Sequence, residues 1–261
     1  MEFGLQSKLV LITGASKGIG LACARAFARA GASVVGVSRN PATLQAAQQS
    51  LAEEGLAMQV RAVDLADAAA AAAMVEAIER ELGPIAVLVN SAGAARRYPL
   101  DELDAAAFRQ AMDAKYFTYM HATQPVITKM AARGAGSVVN IIGQGGRAPS
   151  AMHIAGGAAN AALMLASTGL ARAHAAHGVR VNAINPGLTR TSRVDEGLEA
   201  SARATGRNKT ELLIDAVARI PMGRMAEPEE IANVALFLAS DLASYVSGAI
   251  IPMDGCATSV I

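Results

Sequence analysis

Apolar and polar positions follow two different patterns along the chain, and segments of the two kinds alternate from end to end. Short runs rich in branched aliphatic residues are typical of strands that are buried on both faces of a sheet. Longer stretches between them carry apolar residues every three to four positions, which predicts helices. Strands are predicted at residues 8–13, 33–38, 58–63, 85–90, 137–142, 179–185 and 249–253.

The order of these segments predicts the fold class. Helices are predicted at residues 21–30, 43–54, 67–82 and 101–133. Strands that alternate with helices give a parallel sheet, and right-handed crossovers place helices on both faces. The sequence therefore predicts an α/β fold with a single doubly wound, parallel seven-stranded sheet of the Rossmann type, in one domain spanning residues 1–261. Residues 188–222 are charged and weakly periodic, which indicates a substrate-loop insertion.

Composition narrows the possible partners. Hydrophobic residues make up 52% of the chain, charged residues 17%, and the formal net charge is +1. Such a charge provides no field to attract nucleic acid or anionic lipid, so we expect neither as a partner. No apolar run is long enough to span a membrane without a polar interruption. Cys23 and Cys256 belong to no Cys-x-x-Cys pair, which fits a cytoplasmic protein, and the histidine spacing predicts no metal site.

A glycine-rich turn joins the first predicted strand to the first helix. It reads TGASKGIG over residues 13–20. Glycines at these positions let the backbone approach a pyrophosphate, which then lies at the N-terminus of the helix. The strand before the turn and the helix after it are the context that supports dinucleotide binding. The candidate cofactor-binding residues here are Gly14, Ser16, Lys17, Gly18, Ile19 and Gly20.

The end of the second strand indicates which dinucleotide is bound. An NAD site usually has an acidic residue there, which holds the ribose 2′-hydroxyl. The strand instead ends in Ser38 and Arg39, without an acid. Arg39 and Lys17 can pair with a 2′-phosphate. The prediction is therefore NADP(H), with the alternative that both cations are merely solvated at the surface.

Several segments together resemble the short-chain dehydrogenase/reductase family. They are the glycine turn, the Asp-Leu and Asn-Ser-Ala-Gly runs after the third and fourth strands, the Asn-Pro-Gly run after the sixth, and the tail GRMAEPEEIANVALFLASD. The resemblance implies strand order 3-2-1-4-5-6-7, a small-molecule substrate, and a homodimer or homotetramer. It also implies cofactor contacts at Asp64, Leu65, Asn90, Ala92, Gly93, Pro186, Gly187, Thr189 and Thr191.

The residues that carry the family's chemistry are replaced. The family uses a serine, a tyrosine, a lysine four residues after the tyrosine, and an asparagine on a helix. Matching the motifs places Gly143 at the serine position, His153 and Gly157 at the tyrosine and lysine positions, and Lys115 at the asparagine position. No Tyr-x-x-x-Lys occurs anywhere in the chain.

Two hypotheses account for these replacements. On one, the chain is an NADP(H)-binding protein without redox catalysis, with a regulatory or binding role. On the other, which we favour, it is an NADP(H)-dependent oxidoreductase of the carbonyl reductase or alcohol dehydrogenase type with an altered acid/base group. His153, with a pKa near the reference of about 6.5, would then donate the proton. Lys115 would return a cation to the site, and Gln144 or Ser150 would donate a hydrogen bond to the carbonyl.

Two arginines follow the fourth strand. Arg96 and Arg97 would lie at the rim of a substrate cleft, because this loop leaves the carboxyl end of the strand. There they could bind an acidic substrate or the phosphate of a carrier-linked one. An exposed pair without such a role is the alternative.

Overall fold

The computed structural model describes residues 3–93 and 96–258. All seven strands are parallel and form one sheet in the order β3-β2-β1-β4-β5-β6-β7. This confirms the predicted fold class and the strand order that the family resemblance implied. The strands are β1 Leu9–Thr13, β2 Ser33–Ser38, β3 Met58–Ala62, β4 Ile85–Asn90, β5 Gly136–Ile141, β6 Val179–Pro186 and β7 Ile250–Met253.

The central strands are buried on both sides, which explains their continuous apolar runs. All five residues of β1 are buried. Side chains alternate between the faces of a strand, so Val10 and Ile12 join one apolar cluster while Leu9 and Leu11 join another. Helices pack against both faces. They are α1 Gly18–Arg29, α2 Pro41–Glu53, α3 Ala68–Leu82, α4 Ala105–Ala111, α5 Thr118–Arg133, α6 Ile154–His174, α7 Ser192–Thr205, α8 Lys209–Ala218 and α9 Pro228–Ala239.

The prediction of one continuous helix over residues 101–133 is wrong. The segment contains α4, a π-helical turn over Met112–Phe117, and α5. A π turn inserts one extra residue into the helix and is frequent at functional sites. The Thr118 hydroxyl donates to the Asp113 carbonyl at 2.9 Å across this turn. The insertion leaves Lys115 buried, which periodicity alone does not reveal.

The segment predicted as a loop insertion is largely helical. Residues 192–205 and 209–218 form α7 and α8. Gly197 is the one buried residue of α7, and α8 has none. Because these helices bury so little, an apolar stripe is not needed, and the charged, weakly periodic sequence did not reveal them.

Helix α6, with a short turn at each end, covers residues 151–177 and is long and apolar enough to cross a membrane by length and composition alone. In this fold it lies on β6 and also packs against α4 and the π turn. Its buried positions include Ala155, Ala159 and Leu163. Packing against the sheet accounts for part of its apolar character, whereas Ile154 and Leu165 on the same helix are exposed.

A buried polar network links the carboxyl ends of the central strands. The Asn90 side-chain amide of β4 donates to Thr123 Oγ1 and to Asn140 Oδ1 of β5, both at 2.9 Å. The Asn140 amide in turn donates to Ser167 Oγ at 2.9 Å. The hydroxyl of Thr13 on β1 lies 3.4 Å from Asn90 Oδ1. The network therefore sets the relative positions of β1, β4 and β5 at the edge where ligands bind in such folds.

We expect Asn140→Ala to lower the free energy of unfolding by about 1–3 kcal/mol, because it removes a partner from Asn90 and Ser167 in a buried environment. Urea denaturation measures the change. Asn233→Ala is the matched control, since Asn233 lies exposed on α9; its effect should stay within about 0.5 kcal/mol. Equal effects of the two substitutions would contradict a stabilising role for the network.

Candidate active site

A cavity of about 680 Å³ lies at the carboxyl ends of the strands. The strand order reverses between β1 and β4, and ligands of open α/β sheets bind at such a point. The glycine turn forms one side of the cavity, and the π turn and the starts of α6 and α7 form the other. The predicted cofactor residues that line it are Gly14, Ser16, Lys17, Gly18, Ile19, Ser38, Arg39, Asp64, Leu65, Ala92, Gly93, Pro186, Gly187, Thr189 and Thr191.

The glycine turn makes backbone contacts that a side chain would prevent. Gly14 has a φ of 69°, and a Cβ there would lie 2.8 Å from the Ala92 backbone. Gly18 has a φ of 55°, and a Cβ there would lie 3.2 Å from Thr191 Cγ2. The turn therefore touches both the loop after β4 and the segment before α7. A bare backbone at the start of a helix, beside an open cavity, fits a pyrophosphate group.

Two predicted cofactor residues do not line the cavity. Gly20 is buried, and a Cβ there would overlap the Gly14 carbonyl, so its role is to let α1 pack on the turn. Asn90 is fully buried in the polar network. Both residues thus position the cavity wall from behind, and their predicted contact with the cofactor stays a prediction.

Ser38 and Arg39 lie together beside the glycine turn. The Ser38 hydroxyl is 3.1 Å from that of Ser16, which joins the end of β2 to the turn. Arg39 is exposed at the cavity edge. Lys17 has a different partner, since its Nζ lies 3.6 Å from Glu196 Oε1 on α7. The guanidinium of Arg39 is therefore the better placed of the two cations for a 2′-phosphate.

Gly156 and Asn160 lie one turn apart on α6. Asn160 lines the cavity. A Cβ on Gly157 would instead point at the Gly145 carbonyl, 2.8 Å away. Residues four apart share a helix face, so the family's Tyr-x-x-x-Lys spacing matches Gly156 and Asn160. The placement of the tyrosine and lysine positions at His153 and Gly157 is thus corrected by three residues.

The imidazole of His153 occupies the space next to Gly156. A Cβ on Gly156 would overlap the ring, and a Cβ on Gly145 would lie 3.1 Å from its Cδ2. The ring lines the cavity, and its buried Nδ1 has no hydrogen-bond partner among the described residues. Burial, followed by the charges of Arg97, Arg193 and Lys115, lowers the pKa of His153 to about 4. The expected pKa near 6.5 is therefore wrong, and the imidazole is neutral at pH 7.

Lys115 belongs to the π turn, and its buried side chain reaches the end of β5. Its ammonium donates to the Tyr119 hydroxyl at 2.8 Å and to the Ile141 carbonyl at 3.1 Å, and it also lines the cavity. Burial, and then the charge of Arg193, lower the pKa of Lys115 to about 7. Lys115 is therefore not a solvated surface lysine. An amine that titrates near neutrality can both donate and accept a proton.

Gln144 is not positioned as expected. Its Oε1 is buried without a hydrogen-bond partner in the described part of the chain, and a Cβ on Gly187 would lie 2.9 Å from it. The residue does not belong to the cavity lining, and neither does Ser150. The structure therefore does not place Gln144 where it could donate to a substrate carbonyl.

The two arginines after β4 have separate environments. Arg96 lies over the ring of Tyr98, 5.5 Å from its centroid, outside the cavity lining. Arg97 lines the cavity together with Arg193 at the start of α7. Sequence analysis did not identify Arg193 or Asn160. The four-residue spacing from Gly156 could have identified Asn160. Arg193 belongs to α7, which the sequence pattern did not predict.

Within residues 3–93 and 96–258, no group of three or more His, Cys, Asp or Glu side chains is arranged to hold a metal ion.

Comparison with known proteins identifies the family. A family model described as enoyl-(acyl carrier protein) reductase matches residues 14–258. Galactitol 2-dehydrogenase (L-tagatose-forming) from Cereibacter sphaeroides is 39% identical over 259 residues, which cover 97% of this chain and 96% of the relative. This chain belongs to the short-chain dehydrogenase/reductase family. The structural neighbours of the chain agree with this assignment.

Two solved structures of the family are informative. L-sorbose reductase from Gluconobacter frateurii, complexed with NADPH and L-sorbose, has a TM-score of 0.91 and 30% identity, with all of both chains covered. An NADPH-bound short-chain oxidoreductase from Pseudomonas aeruginosa PAO1 is described as containing an atypical catalytic center. It has a TM-score of 0.88 and 30% identity, covering 99% of this chain and 100% of its own.

We expect Gly156→Ala to expel the His153 imidazole, because the new methyl group would occupy the position of the ring. Released to solvent, the histidine should titrate near the reference pKa of about 6.5 rather than about 4. An NMR pH titration of the histidine ring protons measures the change, with His153→Gln assigning the signal. Gly169→Ala on the same helix is the control, since nothing lies within 4 Å of that position, and it should leave the pKa of His153 unchanged. A wild-type value near 6.5 would refute the buried placement.

Proposed function

We propose that this chain is an NADP(H)-dependent oxidoreductase of the carbonyl reductase or alcohol dehydrogenase type in which Lys115 transfers the proton. Membership of the family supports the oxidoreductase class. The observation that carries the proposal is the buried Lys115 ammonium, which faces the cavity with a pKa of about 7. The site thus retains a group capable of acid/base chemistry although the usual tyrosine is absent.

The proposed cofactor is supported by the shape and charge of one half of the cavity. Gly14 and Gly18 leave the backbone bare for the pyrophosphate, and Arg39 stands where a 2′-phosphate would be paired. When bound, NADPH supplies the hydride, and NADP⁺ accepts it in the reverse direction. Solved relatives such as L-sorbose reductase contain NADPH.

Lys115 is held so that one of its donors remains for a ligand. An ammonium has three N–H donors, and two of them are used by Tyr119 and Ile141. We propose that the third points to the substrate oxygen. During reduction Lys115 gives its proton to that oxygen, and during oxidation the neutral amine takes the proton from the alcohol. Tyr119 is a positioning residue, because its own hydroxyl is buried and donates to the Ile141 carbonyl.

His153 and Asn160 have supporting roles in this proposal. The neutral imidazole of His153 covers Gly156 and closes the cavity wall. Asn160 lies where the family pattern has its lysine, and its side-chain amide can donate and accept hydrogen bonds. We propose that it contacts the ribose hydroxyls of the cofactor without adding a charge.

Assembly and location also belong to the proposal. Large apolar side chains are exposed on the helices that follow β4 and β5, including Phe108, Ile154 and Leu165, the last with 77% of its surface exposed. Their burial between copies would support a homodimer or homotetramer.

Both cysteines are free, Cys23 buried and Cys256 exposed, which fits a cytoplasmic enzyme. We propose that residues 188–222 form the substrate-side wall.

We expect NADPH to bind about 10- to 100-fold more tightly than NADH, because hydrogen bonds to charged groups contribute about 1.5–3 kcal/mol. Arg39→Ala should remove most of this preference and leave NADH affinity unchanged. Fluorescence titration of the reduced cofactors gives both dissociation constants. Arg80→Ala is the control, since Arg80 is exposed on α3, far from the glycine turn. A preference that survives Arg39→Ala would exclude Arg39 as the phosphate partner.

We expect the carbonyl-reduction rate, as kcat/KM, to fall as pH rises above about 7, because the Lys115 ammonium loses its proton there. Alcohol oxidation should rise over the same interval, since it needs the neutral amine. Lys115→Met should lower kcat/KM at least about 10²-fold and abolish this pH dependence, with NADPH affinity retained.

Lys129→Met is the matched control, because Lys129 pairs with Glu76 at 2.9 Å on the outer surface of α5. It should leave the pH profile unchanged. Loss of the pH-dependent limb in His153→Gln, with the limb intact in Lys115→Met, would reassign the proton transfer to the histidine.

A further inference from the structure

The end of the cavity next to Lys115 is lined by basic side chains from four separate segments. Arg97 comes from the loop after β4, Lys115 from the π turn, His153 from the turn before α6, and Arg193 from the start of α7. The tertiary structure alone brings these residues together. This end lies opposite Arg39 and the end of β2, where the 2′-phosphate is proposed to bind.

These basic groups are only partly neutralised by acids. Glu196 lies 3.3 Å from Arg193 Nη1 and 3.6 Å from Lys17 Nζ, so one carboxylate is divided between two cations. Among the described residues that line the cavity, the other acid is Asp64. It follows β3, the edge strand, and accepts a hydrogen bond from Ala66 N. The end near Lys115 therefore carries an excess of positive charge.

Arg97 is the most favourably placed of these cations. Its guanidinium lies against Gly197, where a Cβ would come within 3.1 Å of Nε and 3.3 Å of Cζ. Glycine within a helix costs about 1 kcal/mol relative to alanine, and here it makes room for the arginine. Burial, and then the charge of Arg193, lower the pKa of Arg97. The guanidinium thus lies at the cavity wall against α7, although the Arg97 residue as a whole is exposed.

We propose that the substrate carries a carboxylate group, which Arg97 binds while the reacting oxygen lies at Lys115. This rests on the oxidoreductase function proposed above and adds the class of substrate, a keto acid or hydroxy acid. A planar guanidinium matches a carboxylate with two parallel hydrogen bonds. The binding of an anion also offsets the mutual repulsion of Arg97, Arg193 and Lys115.

The test compares matched pairs of substrates, cyclic and linear keto acids of five to eight carbons and their neutral methyl esters, with NADPH as reductant. We expect kcat/KM to favour the acid about 10- to 100-fold in the wild type. Arg97→Met should remove this preference by lowering kcat/KM for the acid, while the value for the ester and the dissociation constant of NADPH stay within about threefold. Gly197→Ala should have the same effect to a smaller degree, because its methyl group displaces the guanidinium.

The neighbouring Arg96→Met is the control, since Arg96 lies on Tyr98 outside the cavity lining, and it should keep the preference. Equal rates for acids and esters in the wild type would overturn the carboxylate proposal while supporting the oxidoreductase function. Weaker NADPH binding in Arg97→Met would assign the arginine to the cofactor and also overturn it. A preference for phosphorylated ketones over keto acids would identify phosphate as the anion and refute a carboxylate.

A binding experiment separates this inference from catalysis. Calorimetry on the NADP⁺ complex should detect cyclohexanecarboxylate but not its methyl ester, and Arg97→Met should abolish the signal. Selective binding without turnover of any ketone would support the anion site and refute the proposed oxidoreductase function. Turnover of esters without binding of the carboxylate would support the oxidoreductase function and refute the anion site.

Discussion

The arrangement of this protein depends on the close approach of backbone at the carboxyl ends of β1 and β4. Gly14 lies against the Ala92 backbone at a distance that excludes a side chain. The Thr13 hydroxyl accepts hydrogen bonds from the backbone N–H groups of Ser91 and Ala92, both at 3.1 Å. A cavity lies beyond this point, and its lining includes Gly14, Ala92 and Gly93. Every group proposed to act in the site is positioned relative to this part of the lining.

The proposed site brings an amine, an imidazole and an amide together in a sequence that contains no Tyr-x-x-x-Lys. Gly156 shares a face of α6 with Asn160, which lines the cavity, and the imidazole of His153 fills the space that a side chain at Gly156 would take. The buried ammonium belongs to Lys115 on the π turn instead of to α6. A buried amine is costly unless it is hydrogen-bonded, and Tyr119 and Ile141 meet that requirement. The remaining cost of removing the charged amine from water lowers the pKa of Lys115 to about 7.

The same electrostatics link the proton-transferring group to the proposed substrate. Burial, and then the charge of Arg193, lower the pKa of Lys115 and of Arg97. Burial and then all three cations lower the pKa of His153. At a pKa of about 4 the histidine remains neutral, so Lys115 is left as the group that titrates near neutrality in this part of the cavity. An anionic substrate would stabilise the ammonium form of Lys115, which is the form that reduction requires.

The sequence by itself determined the parallel sheet, its glycine turn and the absence of an acid at the end of β2, because these depend on local periodicity and on the backbone freedom of glycine at fixed spacing. It did not determine the catalytic half of the site. The burial of Lys115 depends on a one-residue insertion in a helix, and the burial of Gly156 under the His153 ring depends on how the turn before α6 folds. Arg97 and Arg193 are 96 positions apart in the sequence. Both line the cavity because α7 packs next to the loop after β4. A pKa depends on such neighbours and on burial, and both exist only once the chain has folded.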